Sequence, residues 1–319
     1  MTHADIADPS AASADAVEPR KPTVALALGA GSAKGLAHIG AIEEIEAQGY
    51  RIISIAGTSM GALIGGVYAM GKLDVYRDWV CTLAKFDVFK LLDWTFSGGG
   101  LIKGEKIIGT LRELIGDVCI EELPLAFTAV ATDLDREREV WLTRGSLFDA
   151  IRASIGIPTV FRPYTIDGRR LLDGALLNPV PVTPLIRDPA DYLFAVSMDG
   201  PAQMMPAVVP EDVEADEAGE NGYRHRVGEF FGRLLPHNEG KPREPGAWEL
   251  LNQSMDLMQA NLSRLRLAAY EPDLLIQLPR NVSTAFEFYR ARELIERGRV
   301  ETREALAHWS KMTTTLRQP

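Results

Sequence analysis

Ile52-Ile-Ser-Ile-Ala-Gly-Thr-Ser-Met-Gly61 runs a short apolar stretch straight into a serine set between two glycines, and Ala62 to Met70 continues as a small-residue helical segment that stops at Gly71. An apolar run with glycine at its end reads as a strand buried on both faces. The pattern repeats one unit upstream. Thr23 to Leu28 is apolar, Gly29 to Gly35 is a glycine-rich turn, and Leu36 to Gln48 places Leu36, Ile39, Ile42 and Ile45 at helical spacing before Gly49. Strand–helix–strand–helix order predicts an α/β fold: a mainly parallel sheet between two helical layers.

Further strands are expected at Ala126–Thr132 and Glu139–Leu142, separated by the polar turn Asp133–Glu137, and at Gly168–Asp173, Tyr192–Met198 and Leu274–Leu278. Leu250–Ala269 reads as a helix with Leu251, Met255, Met258, Leu262 and Leu265 on one face, and Phe286–Trp309 as a closing helix. Between them, residues 201–249 change character, with closely spaced prolines followed by Glu211, Asp212, Glu214, Asp216, Glu217 and Glu220. This predicts a partly mobile acidic insert or cap. Its amphipathic piece, Val227 to Leu235, suits either a lid that meets lipid or a short helix packed on the body. The domain reading is a disordered tail over 1–20, an α/β domain over 21–200, the insert over 201–249 and a helical segment over 250–319 packed on that domain.

The 319 residues are 46% hydrophobic and 24% charged, with net charge −10 and pI about 5.1. An acidic chain without a basic run does not fit nucleic acid. The same balance disfavours purely electrostatic attachment to anionic lipid, although a local basic patch would suffice. Cys81 and Cys119 have neither metal-ligand spacing nor a disulfide framework and read as reduced, buried thiols. The tail lacks the apolar run of a signal peptide, and no stretch is long enough to span a bilayer. The expectation is a soluble, cytoplasmic protein, with peripheral contact at the inner membrane face left open.

Gly57-Thr-Ser-Met-Gly61 fits a nucleophile elbow. A serine on a tight strand-to-helix turn exposes its hydroxyl, the flanking glycines remove clashing side chains, and the helix N-terminus favours developing negative charge. The bland alternative is a glycine turn with a capping serine. Gly29-Ala-Gly-Ser-Ala-Lys-Gly35 aims backbone N–H groups at an anion, which suits either a dinucleotide phosphate or the oxyanion of an acyl intermediate. A dinucleotide site wants an acidic residue at the end of the next strand. That strand ends in the serine elbow instead, which favours the oxyanion reading. Lys34 is expected to add positive charge there. The base for Ser59 is open on these grounds: Asp173, followed by Gly174 and Ala175, stands no better than Asp133 or Asp199, which also follow strands. His225, His237 and His308 lack the setting of a catalytic loop, and His38 reads as a packed residue beside the glycine loop.

Taken together, Leu26 to Gly40, Gly57 to Gly61 and Leu172-Asp-Gly-Ala-Leu-Leu-Asn-Pro-Val-Pro181 resemble the patatin-like phospholipase family, most closely its small bacterial RssA-type members. Gly99–Gly104, Ala129–Leu134, Ile151–Ser154 with Ile157-Pro158, and Asn261–Leu278 support the resemblance. The resemblance implies a three-layer α/β/α fold and a Ser–Asp dyad without histidine. Ser59 would attack an ester carbonyl, and Asp173 would take its proton and later activate water. The oxyanion loop would comprise Gly29, Gly31, Ser32, Ala33, Lys34 and Gly35, with the amides of Gly31 and Ser32 foremost; such a donor contributes about 3–4 kcal/mol. Glycerophospholipids, lysophospholipids and other acyl esters are the implied substrates, with no metal or organic cofactor. A thioesterase or acyltransferase using the same dyad, and a regulatory or binding protein on the same scaffold, are the rival readings. Ala30 and Ser32 interrupt the glycine run usual in the family, and Lys34 replaces an arginine, losing its bidentate fork. Gly156 and Thr159 stand where the family commonly has serine and glycine, and Ala175 where many members have glycine.

Overall fold

The computed structural model describes residues 20–91, 93, 100–203 and 247–316. The expected tail up to residue 19, most of the acidic insert with its 227–235 segment, and His225 and His237 lie outside the described residues. In chain order the elements are β1 (Thr23–Leu28), a 3-10 turn (Ser32–Leu36), α1 (Ala37–Ala47), β2 (Arg51–Thr58), α2 (Met60–Ala69), α3 (Leu73–Val80), α4 (Lys85–Lys90), β3 (Gly100–Ile102), α5 (Glu105–Ile115), β4 (Ala126–Asp133), β5 (Arg138–Leu142), α6 (Leu147–Ser154), β6 (Thr159–Phe161), β7 (Tyr164–Ile166), β8 (Arg169–Asp173), β9 (Tyr192–Gly200), α7 (Ala247–Ala269), β10 (Leu274–Pro279) and α8 (Ala291–Leu316). The expected strands are all present within a residue or two of their predicted bounds. The closing helix begins at Ala291 rather than Phe286, because Phe288–Arg290 form a separate 3-10 turn. Helices α3 to α6 and strands β3, β6 and β7 lie beyond the sequence expectation; the three strands are only three residues long, and the helices run six to eleven residues.

The central sheet runs β10-β9-β1-β2-β4, all parallel, and is completed by the antiparallel β5, β8 and β7. Alternation along the strands divides the core. Val24, Leu26, Leu28, Phe194, Val196 and Met198 face the layer of α1, α2 and α8. On the other face stand alanines, Ala25, Ala27, Ala56 and Ala195, and these small side chains let Val180, Val182 and Leu185 lie close, with Leu267 of α7. The C-terminal part is built into the same body. β10 pairs with β9, and α8 crosses α1 so closely that a Cβ on Gly40 would lie 1.9 Å from the Ile295 carbonyl oxygen, and one on Gly298 2.0 Å from that of Ala37. The crossing is flanked by Arg303–Glu44 and Arg299–Glu43 ion pairs, and Arg303 holds the Glu44 carboxyl below its ordinary range.

The feature that positions the site is the edge of β4. Residues Ala126–Val130 pair with β2, and Ala131–Asp133 pair with β8, while β5 takes the opposite edge over Ala129–Asp133. β8 therefore occupies the edge of β4 where β2 leaves it. Thr58, the last residue of β2, lies opposite Val130, and Asp173, the last of β8, lies opposite Ala131. Two chain ends far apart in sequence meet at adjacent rungs of the ladder.

Candidate active site

At the end of β2 Ser59 turns the chain into α2 with φ 55° and ψ −122°. A positive φ is uncommon for a residue bearing a side chain and is held only when the surroundings demand it. Here the turn is tight because a Cβ on Gly57 would sit 2.4 Å from the Gly61 oxygen, and one on Gly61 only 2.1 Å from the Leu28 oxygen. Ser59 is 5% exposed, and its hydroxyl donates to Asp173 Oδ2 at 2.6 Å. The other carboxylate oxygen, Oδ1, accepts from the Ala175 amide at 2.9 Å. Burial of Asp173 pushes its carboxyl up to about 6, while the Ser59 hydroxyl and the Ala175 amide pull the other way. Desolvation wins, which makes Asp173 a better proton acceptor than an exposed aspartate.

The backbone of Asp173 is equally constrained. Its N–H donates to the Gly156 carbonyl at 2.9 Å, and its carbonyl accepts from Thr132 Oγ1 at 3.0 Å. Gly174 passes so near β4 that a Cβ would meet the Val130 oxygen at 2.3 Å. Thr58 Oγ1 donates to the Asn178 carbonyl, joining the residue before the serine to the segment after the aspartate. The other two strand-end aspartates are engaged elsewhere. Asp133 accepts from the amides of Asp135 and Arg136, and Asp199 accepts from Ser263 of α7. His308 is exposed on α8.

The glycine loop is folded against the elbow, and a Cβ on Gly35 would collide with the Met60 side chain at 2.4 Å. Several of its amides are occupied. Gly29 donates to Val196, Ala30 to Pro179 and Ala33 to Ala285. The N–H groups of Gly31 and Ser32 have no acceptor among the described residues, so the loop amides at Gly29 and Ala33 are not free for an oxyanion and those at Gly31 and Ser32 are. Ser32 is held at φ 46°. Lys34 Nζ lies 3.5 Å from the carbonyls of Met198 and Arg280. His38, fully buried, donates Nε2–H to the Gly29 carbonyl at 2.8 Å; burial lowers its pKa to about 4 and keeps the ring neutral at pH 7. It is a packed residue, as expected, and it holds the root of the glycine loop. Thr159 sits at φ 68°, a conformation open to glycine and strained for a β-branched residue, so the substitution seen in the sequence carries a backbone cost.

Ser154, in a block read from the sequence without a role, touches Ser59. Its Oγ accepts from the Ser59 N–H at 2.9 Å and donates to the Val130 carbonyl at 2.6 Å, and it is fully buried. It bridges Ser59 to β4 and directs the Ser59 amide away from the hydroxyl. A buried serine must be hydrogen-bonded, but only tertiary structure reveals the burial. Ser154→Ala leaves an N–H and a carbonyl unpaired. It is expected to lose about 2–3 kcal/mol of stability and to slow reaction at Ser59 about 100-fold through misplacement, measured by denaturant unfolding and by the labelling rate with a serine-reactive fluorophosphonate.

A serine on a strand-to-helix turn beside a buried carboxylate, at the C-terminal ends of the strands of a mainly parallel sheet covered on both faces, is the layout of an α/β serine hydrolase. The family described as Patatin-like phospholipase matches residues 26–186. An uncharacterised NTE family protein of Mycobacterium tuberculosis is 38% identical, over 89% of this chain and 91% of its own length. The neuropathy target esterase of Drosophila melanogaster is 28% identical over 55% of this chain and 13% of its own, and a lysophospholipase of Emericella nidulans 29% identical over 55% and 12%. The chain belongs to the patatin-like phospholipase family.

Proposed function

We propose that the protein hydrolyses acyl esters of lipids, in the manner of a phospholipase A or lysophospholipase, with Ser59 as nucleophile and Asp173 as base. The observation that carries this is the 2.6 Å hydrogen bond between the Ser59 hydroxyl and the Asp173 carboxylate. Ser59 Oγ attacks the acyl carbonyl as its proton passes to Asp173. The Gly31 and Ser32 amides receive the negative oxygen. Collapse of the tetrahedral intermediate expels the alcohol, which takes the proton back from Asp173 and leaves an acyl-serine. Asp173 then removes a proton from water, which attacks the ester, and Ser59 Oγ leaves with that proton from Asp173, releasing the fatty acid and restoring both groups. Membership of the family, and the esterase and lysophospholipase names of two relatives, support a lipid ester as substrate. A thioesterase or acyltransferase would use the same groups and differ in the ester bond or in the acceptor. Residues 21–200 carry the whole proposed machinery and serve as the catalytic domain, with the described part of 250–319 as its packed C-terminal segment.

Intact mass after fluorophosphonate treatment tests the reading. Wild type should gain a single adduct and Ser59→Ala none; an adduct on Ser59→Ala would move the nucleophile elsewhere. The pH dependence follows from Asp173. Its carboxyl must be ionised to accept the proton and has been raised to about 6, so kcat/KM on a soluble ester should fall about tenfold per pH unit below 6 and level off above it.

A further inference from the structure

α7 packs on the sheet through its C-terminal half. Leu267 is buried against the sheet, and Ser263 bonds to Asp199 near the C-terminal end of β9. At 1.5 Å per residue, Met258 stands ~7 Å and Leu250 ~20 Å beyond that contact, on the side of the strand C-termini where Ser59 also lies. On this projecting half, Leu250, Leu251, Leu257 and Met258 are each 44–62% exposed, and Leu265 continues the same arc. At 100° per residue these side chains span about 120° of the helix surface, the width of a face that ordinarily contacts something apolar.

A second exposed element stands on the other side of the glycine loop. Ala33 of that loop bonds to Ala285, the chain proceeds to Tyr289, and Lys85 of α4 lies over the Tyr289 ring. α4 presents Phe86, 61% exposed, with Lys90 stacked on its ring. Lys103 and Lys106, exposed at the start of α5, adjoin it, and Lys106 Nζ donates to the Lys90 carbonyl. Lys85, Lys90, Lys103 and Lys106 form no ion pair among the described residues, whereas the arginines of the chain form many. A protein of net charge −10 thus keeps free cations and a protruding aromatic on one rim.

We propose that the apolar arc of α7 and the Phe86–lysine cluster of α4 and α5 form one docking surface for an anionic phospholipid bilayer. The apolar side chains enter the interface while the lysines meet the headgroups, with the Ser59 site between the two contacts. The inference deepens the lipid hydrolase reading, since it says how an insoluble ester reaches the site.

The test uses the full chain and sucrose-loaded vesicles of ether-linked phospholipids, which the proposed chemistry cannot cleave. Wild type should sediment with phosphatidylglycerol vesicles, far less with phosphatidylcholine, and less at 0.5 M salt. Lys85→Gln with Lys90→Gln should lower the partition coefficient about 30-fold. Leu257→Ser with Met258→Ser should lower it about tenfold or more. Both pairs should leave hydrolysis of a short soluble ester unchanged. Wild type that ignores anionic vesicles, or variants that partition like wild type, would overturn the proposal. So would a fall in oligomer mass on changing Leu257 and Met258, which would make the arc an interface between copies. Vesicle binding that appears only after excision of residues 204–246 would assign the arc to that segment and likewise overturn it. Normal vesicle binding by a protein that cleaves no soluble ester would remove the hydrolase reading and leave the docking surface standing.

Discussion

Asp173→Asn is expected to lower kcat/KM on a soluble ester roughly 10²- to 10⁴-fold, the usual contribution of a general base, while making the protein more stable at pH 7. The two effects share one cause. The Asp173 carboxyl is raised by burial to about 6 from an ordinary 3.8, so the fold prefers its protonated form. The ionised carboxylate needed for catalysis then destabilises the native state by about 3 kcal/mol at neutral pH. That penalty is absent below pH 3.8, where the group is neutral in both states; it grows between 3.8 and 6 and is constant above. An amide keeps the acceptor for Ala175 and a donor toward Ser59, yet carries no charge. Denaturant unfolding at pH 7 should therefore show the variant ahead of wild type, with the gap closing by pH 4. Intact mass guards against deamidation at the Asn-Gly pair that the substitution creates. A variant that keeps full activity would remove Asp173 from the mechanism, and one that is less stable at pH 7 would show that the charge is matched by contacts stronger than its two hydrogen bonds.

Gly61→Ala is expected to leave little folded protein. The new Cβ would stand 2.1 Å from the Leu28 oxygen and 2.7 Å from the Gly29 oxygen, both backbone atoms, so no side chain can move aside. Relief requires separating α2 from the end of β1 and shifting the glycine loop with it, a loss of about 4 kcal/mol or more. Gly109→Ala is the matched control. It lies in α5 with nothing within 4 Å of the added atom, and alanine there should stabilise the protein by about 0.5–1 kcal/mol. Soluble yield and thermal unfolding of the two variants separate steric exclusion at the elbow from a general effect of replacing glycine. Equal behaviour would refute the claim that the elbow glycine is required by backbone contact.

Much of this was legible in the chain. β1, β2 and the helices that follow them announce themselves by apolar runs, helical spacing and glycine stops, and the elbow is visible because its two glycines bracket a single serine. Helices α3 to α6 and strands β3, β6 and β7 were not, because three-residue strands show no alternation and helices of six to eleven residues give a weak periodic signal. The apolar arc of α7 shows the opposite limit. Met255 and Leu262 share its helical pattern with Leu251, Met258 and Leu265 in the sequence, yet only the fold separates the partly buried pair from the exposed three.

The chain's local pattern fixed the α/β class, the serine elbow at Gly57–Gly61 and the glycine loop beside it, since these depend on residues adjacent in the chain. The resemblance at Leu172–Pro181 pointed to Asp173, and the fold supplies the physical reason that this aspartate faces Ser59. Asp133, Asp173 and Asp199 look alike as strand-end carboxylates, and the choice follows from the edge of β4, where β8 takes over one residue after β2 departs. That register also carries Gly156 and Thr132 to the Asp173 backbone, while Ser154 reaches Ser59 from the end of α6. Contacts between residues so far apart are set by hydrogen-bond pairing across the sheet, which has no counterpart in local sequence.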